Sequence, residues 1–181
     1  DLFYVFGVGG SIAVFFGLLD DIFEIRIRQK IIVQFLLSFW VLFWFEGGPL
    51  ANIDWIPSLI VAPITLLFLV WVLNAYNFMD GIDGIAASQL LVTSLSCVVL
   101  LVGLEDGLEG VLEGVLGSGL DAAAGESGEH DVVLTLSVVL AASAAGFLLW
   151  NWSPASLFMG DAGSGFIGFA LGLLALESLV T

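Results

Sequence analysis

Four stretches without a single Asp, Glu, Lys or Arg constrain this chain more than anything else in it: residues 2–19, 55–79, 84–104 and 132–160. Each reaches or exceeds the roughly 18 apolar residues that a helix needs to cross the hydrocarbon of a bilayer. The composition agrees, for only 12% of the 181 residues are charged, 60% are hydrophobic, and the mean hydropathy is +1.11. Two shorter uncharged runs, 31–45 and 162–176, gain a turn from their flanks. Six spans are therefore expected, near 2–19, 31–45, 57–75, 85–104, 132–150 and 162–180. Backbone amides in lipid must be satisfied within the segment, so the expected fold is all-α, a polytopic bundle of about six transmembrane helices in one integral membrane domain over 1–181.

The three basic residues, Arg26, Arg28 and Lys30, sit together between the first two runs. The positive-inside tendency places that loop in the cytoplasm. Alternate threading then puts 46–54 outside, 75–84 inside, 105–131 outside and 151–161 inside. On that threading Asp20, Asp21, Glu24, Asp80, Asp83 and Asp161 all fall on the cytoplasmic side, although nothing in it was chosen to bring them there. Segment 105–131 carries eight acids and no Lys or Arg, which reads as a solvated external loop. It lacks the ligand spacing of an EF-hand. His130 closes that loop, away from the other candidates. The net charge of −15 excludes nucleic acid as a partner. Cys97 stands alone, so there is no disulfide framework. The chain opens at Asp1 directly into an apolar run with no basic leader, which reads as part of a larger bundle rather than as a signal peptide.

Three inner segments carry chemistry. In the first, Asp20 and Asp21 end an apolar helix, where two carboxylates are costly unless they meet a cation. Arg26 or Arg28 would serve in a purely structural pairing. In the second, Asn74, Asn77, Asp80 and Asp83 recur every third residue, which on a helix aligns them in one stripe. In the third, Asp161 stands at a helix start between glycines. An N-cap explains it cheaply, whereas the glycines suit a backbone that wraps a phosphate. Five aspartates, two asparagines and three cations around one mouth are hard oxygen donors of the kind that suit Mg2+ together with a phosphate. No His or Cys cluster suits zinc, and there is no Walker loop or Ser-His-Asp set.

LLDDIFEIRIRQK at 18–30, NAYNFMDGIDGIAA at 74–87 and FMGDAGSGFIG at 158–168 together resemble the polyprenyl-phosphate N-acetylhexosamine-1-phosphate transferases. The resemblance implies Mg2+-dependent transfer of N-acetylhexosamine 1-phosphate from a UDP-N-acetylhexosamine to undecaprenyl (polyprenyl) phosphate. UMP is released, and cell-envelope or O-antigen glycan synthesis begins at the cytoplasmic face of a bacterial inner membrane. Carried over, it implies Asn77 and Asp161 as metal ligands and Lys30 as the diphosphate-binding lysine, with Arg26 and Arg28 beside it. It also implies Asp20 and Asp21 near the lipid phosphate with Asp20 as base, Asp80 and Asp83 on the nucleotide-sugar side, and Asn74 in support. The family's preceding helices and its later His- and Arg-bearing loop are not in this sequence, so this stretch need not be active alone. Self-pairing into a homodimer is left open. The rival class is an intramembrane cation or proton transporter, which predicts carboxylates at mid-bilayer and an inverted repeat. A purely structural membrane protein leaves the Asn/Asp stripe without a purpose.

Overall fold

The computed structural model describes residues 2–45, 58–102, 109–110, 112–114, 116–117 and 129–177. Six long helices are formed: α1 (Leu2–Phe23), α2 (Ile27–Trp44), α3 (Ser58–Met79), α4 (Ile85–Val102), α5 (Glu129–Asn151) and α6 (Gly160–Glu177). There is no strand among the described residues. Five stretches are long and apolar enough to cross a membrane: Tyr4–Phe23, Ile27–Trp44, Ile60–Met79, Ile85–Val102 and Val132–Asn151. The protein is an all-α, polytopic membrane protein. α6 is not among those five, because Asp161 and Glu177 stand at its two ends. It is the enclosed helix instead, and Ser164, Ala170 and Leu173 expose nothing.

The helices overrun the uncharged runs where the site residues lie. α1 takes in Asp20 and Asp21, α2 takes in Arg28 and Lys30, and α6 takes in Asp161. α5 begins at Glu129, inside the segment expected as the outer loop, and residues 112–114 and 116–117 of that segment are also helical. Leu112 and Leu116, four apart, mark that short helical face. Residues 109–110 are described as helical too, while the expected outer loop 46–54 and residues 105–108, 111, 115 and 118–128 lie outside the described residues.

The chain divides into two compact units. The first comprises Phe3–Ile82 and Phe158–Thr181, hence α1, α2, α3 and α6. Lipid tails are as apolar as leucine, so close backbone approach rather than water exclusion holds such helices together. Gly168 shows this, since a Cβ there would stand 2.9 Å from Leu73 Cα, and α6 lies directly on α3 at that point. α2 packs against α3 through its buried face of Leu37, Ser38, Val41 and Leu42. Ile32, Leu36, Phe39 and Phe43, spaced four, three and four, are exposed on the same helix, as suits lipid. The second unit, Asp83–Leu157, pairs α4 with α5. Ala86, Leu90, Ser94 and Val98 of α4 are buried at a spacing of four. At its end, buried Asn151 donates to the Leu157 carbonyl at 2.8 Å and accepts from the Gly84 N–H at 2.9 Å.

Candidate functional site

Adjacent residues on a helix project about 100° apart, so Asp20 and Asp21 at the end of α1 face different partners. Asp20 is buried, 5% exposed, and its Oδ1 accepts the Ile25 N–H at 2.8 Å. Its other oxygen meets Lys30 Nζ in an ion pair. That pairing depends on the turn between α1 and α2. Glu24 adopts φ +49°, and its N–H caps the Asp20 carbonyl at 2.9 Å. A left-handed residue just past a helix end reverses the chain, which brings Lys30, in the first turn of α2, back beside Asp20.

Asp21 points outward to the start of α6. Its carboxylate accepts the Asp161 N–H at 2.8 Å and the Ala162 N–H at 3.1 Å. Asp80, just past α3, accepts the Gly160 N–H. Free amides and the helix dipole make an N-terminus attractive to anions, and here two carboxylates from other segments occupy it. Gly160 has φ +70°, and a Cβ on it would stand 2.9 Å from an Asp21 oxygen, so only glycine fits. Burial pushes the Asp80 carboxyl up to about 6, the charges of Asp161 and Asp21 push the same way, and the Gly160 amide pulls against them.

The capping explanation of Asp161 is thereby corrected. Asp21 and Asp80 take the first amides of α6, and the Asp161 side chain is free for other work. Its Oδ2 accepts from Lys30 Nζ at 2.9 Å and its Oδ1 from Asn77 Nδ2 at 2.5 Å. Asn77 Nδ2 also reaches Ser164 Oγ at 3.5 Å. Lys30, Asp20, Asp161, Asn77, Gln34 and Gly165 line a cleft of about 40 Å3, enough for a few water molecules.

The expected polar stripe is broken, because α3 stops at Met79 and residues 80–84 form a turn. Asn77 and Asp80 join the cluster. Asn74 is exposed and accepts from Gln34 Nε2 at 3.5 Å. Asp83 belongs to the second unit, where its carboxylate accepts the Ala155 N–H at 3.0 Å. Arg26 and Arg28 are exposed, and Lys30 is the cation that answers Asp20. Three participants were missed from the sequence. Gly17 is the contact point of α1 with Asp161 and Ala162, Ser164 backs Asn77, and Gln34 lines the cleft. Gly17 precedes Asp20 by three and Gln34 follows Lys30 by four, so helical spacing carried the signal in both cases.

Asp20, Asp21, Asp80 and Asp161 outweigh the single ammonium of Lys30. An anion entering this cluster therefore needs a cation with it. The described residues contain no group of three His, Cys, Asp or Glu able to hold a metal. Asp161 offers one carboxylate, and Asn77, whose Nδ2 faces it, would offer its amide oxygen after a half-turn of its side chain. That set suits a hard cation such as Mg2+, which keeps several waters and takes its remaining ligands from phosphate.

The fold and this cluster define a class, the multi-span membrane proteins with a carboxylate–amide–lysine site where helices begin and end. The family follows from sequence comparison: the profile of glycosyl transferase family 4 matches residues 3–179, and the chain belongs to that family. The chain is 31% identical over 177 residues to a probable undecaprenyl-phosphate N-acetylglucosaminyl 1-phosphate transferase of Bacillus subtilis, covering 95% of this chain and 43% of the relative. It is also 31% identical to a decaprenyl-phosphate N-acetylglucosaminephosphotransferase of Mycolicibacterium smegmatis, covering 91% of this chain and 38% of that protein. A phospho-N-acetylmuramoyl-pentapeptide-transferase of Heliobacterium modesticaldum is 29% identical, with 88% and 48% covered. The chain thus spans less than half the length of these curated relatives.

Proposed function

We propose that this chain carries the phosphoryl-transfer core of a Mg2+-dependent enzyme. In this reading N-acetylhexosamine 1-phosphate moves from a UDP-N-acetylhexosamine to polyprenyl phosphate at the cytoplasmic face of a bacterial inner membrane. The supporting observation is the convergence of Lys30, Asp20, Asp161 and Asn77, drawn from four helices, on one cleft. A phosphate oxygen of the lipid attacks the phosphorus that bears the sugar. The bond from that phosphorus to the bridging oxygen breaks, and its electron pair leaves with UMP.

Lys30 places its charge at the diphosphate, while Asp20 and Asp161 hold the ammonium in position. Phosphoryl transfer depends mainly on such positioning and on charge stabilisation. The second ionisation of a phosphate monoester lies near 6, so at neutral pH Asp20 has only the minor monoanion to deprotonate. Asp21 and Asp80 fix the start of α6, which keeps Asp161 beside Asn77. Mg2+ held by Asn77 and Asp161 would neutralise charge developing on the transferred phosphoryl group.

The transporter reading has no observation in its favour. Asp20 lies in the last turn of α1 and Asp161 in the first turn of α6, not at mid-span. Identities of 31% and 29% do not separate N-acetylglucosamine from muramoyl-pentapeptide donors, and the motif wording at 78–86 and 151–166 leans towards the O-antigen or capsule initiating branch. The test is transfer of radiolabel from UDP-N-acetylglucosamine, and separately from the UDP-muramoyl-pentapeptide, to undecaprenyl phosphate by the whole protein in detergent. Label should enter the lipid from one donor, with UMP released, and EDTA should stop it. Absence of transfer from both donors with Mg2+ present would contradict the reading.

A further inference from the structure

Gln34 lies one helical turn beyond Lys30 on α2 and lines the same cleft. Its Nε2 is directed to Asn74, which does not line the cleft, and its Oε1 is buried with no hydrogen-bond partner. Rotating both amides together only exchanges the roles. Asn74 would then satisfy Oε1, and Nε2 would be the group left over. In either orientation one polar atom of Gln34 lacks a partner, at a desolvation cost that folding alone does not recover.

The position of that atom says what would satisfy it. Lys30 and Asp161 form the outer, charged part of the cleft, whereas Ala13, Leu37 and Leu73 form an apolar wall. Gln34 is four residues past Lys30, about 6 Å further along the helix axis towards the bilayer core. Leu37 continues in the same direction by another three. Gln34 therefore marks the boundary where a charged mouth gives way to hydrocarbon. A water-soluble nucleotide sugar has no reason to reach this depth. An amphiphile whose phosphate ends in a prenyl chain changes polarity at that level.

We propose that Gln34, buttressed by Asn74, holds the phosphate monoester of the acceptor lipid and sets its depth against Lys30 and Asp161. This rests on the transferase reading and adds to it the residue that receives the acceptor. An amide suits this role because it adapts to both ionisation states. Nε2–H donates to an oxygen of the dianion, and Oε1 accepts the P–O–H of the monoanion.

The test is binding, with no turnover needed. The whole protein in detergent micelles is titrated with undecaprenyl phosphate, with undecaprenol and with inorganic phosphate, and its thermal stabilisation is followed. Undecaprenyl phosphate should stabilise the wild type beyond undecaprenol, and inorganic phosphate should not match it. Gln34→Met keeps the length of the side chain and removes its polar atoms. It should weaken undecaprenyl phosphate binding by about tenfold, the loss of one charge-assisted hydrogen bond. Gln34→Glu should weaken it further by repulsion. Mg2+-dependent binding of UDP-N-acetylglucosamine should be unaltered in both. Should Gln34→Met misfold, Gln34→Asn, one methylene shorter, carries the same test. Undiminished lipid-phosphate binding in these variants overturns the proposal, as does equal loss of the nucleotide sugar, or a wild type that does not distinguish undecaprenyl phosphate from undecaprenol. Normal label transfer with unaffected Gln34 variants sinks this inference alone. Lipid-phosphate binding that depends on Gln34, without label transfer, sinks the transferase reading alone.

Discussion

Substituting Gly17 by alanine puts one methyl group where α1 meets the start of α6. The new Cβ would stand 2.6 Å from Ala162 N, with Ala162 Cα and Asp161 O closer still, and all three are backbone atoms that cannot rotate aside. Ordinary contact is about 3.5–4.0 Å, so the two helices must part by about 1 Å. The Asp21 bonds to the Asp161 and Ala162 amides, now 2.8 and 3.1 Å, would lengthen beyond useful range. Overpacking of this kind costs about 1–3 kcal/mol, of which about 0.5–1 is offset by replacing a helical glycine. Displacing Asp161 by about 1 Å from Lys30 and Asn77 is worth roughly a hundredfold in rate. Gly7→Ala on the same helix is the control, because a Cβ there meets nothing within 4 Å. The assays are thermal unfolding in detergent and initial-rate label transfer. Gly17→Ala should lose both stability and rate, and Gly7→Ala should lose neither. If the two variants behave alike, the close approach of α1 to α6 does not position the site.

Lys30→Ala should leave buried Asp20 without its counter-charge, costing about 3 kcal/mol and most of the nucleotide-sugar affinity. In the double variant Lys30→Met with Asp20→Asn, unfolding temperature should recover while binding does not, and recovery of both would remove Lys30 from the diphosphate. Asp21→Asn keeps one acceptor oxygen for two amides, so it should cost about 1 kcal/mol and lower the rate without altering Mg2+ affinity; a metal-affinity loss measured by titration would place Asp21 among the ligands instead. The Asp80 carboxyl, raised to about 6 in the folded protein, binds its proton more tightly than in the unfolded chain. Its contribution to stability is therefore present below about pH 4 and lost as pH rises to about 6. Asp80→Asn should raise the unfolding temperature at neutral pH and have little effect near pH 4, and equal effects at both would contradict that origin.

Much of the bundle was legible because lipid leaves few alternatives. An uncharged run of sufficient length in a bilayer can only be helix, and α1, α3, α4 and α5 contain the four long runs or most of each. The helix ends were less legible. Asp20, Lys30 and Asp161 extend helices past their uncharged runs because each finds an opposite charge or amide on another element, and local sequence carries no record of that. The three motif segments were recognised, yet the division of labour within them was not. Period three aligned Asn74 through Asp83 on the assumption of a continuous helix, and the turn after Met79 sent Asp83 to different partners. A cap stood open beside the metal-ligand reading of Asp161 because nothing local announces that Asp21, 140 residues away, occupies those amides. Gly17 and Gln34 were overlooked since neither is ionisable, although each shares a helix face with a residue that is.

In the proposed mechanism Asp161 is the carboxylate that a metal and a diphosphate share. Label transfer to undecaprenyl phosphate by Asp161→Asn, followed across a range of Mg2+ concentrations beside the wild type, tests this most directly, since the substitution keeps shape and removes charge. The rate should fall by about a thousandfold and should not recover as Mg2+ is raised. Wild-type rates at the wild-type Mg2+ requirement would contradict the account.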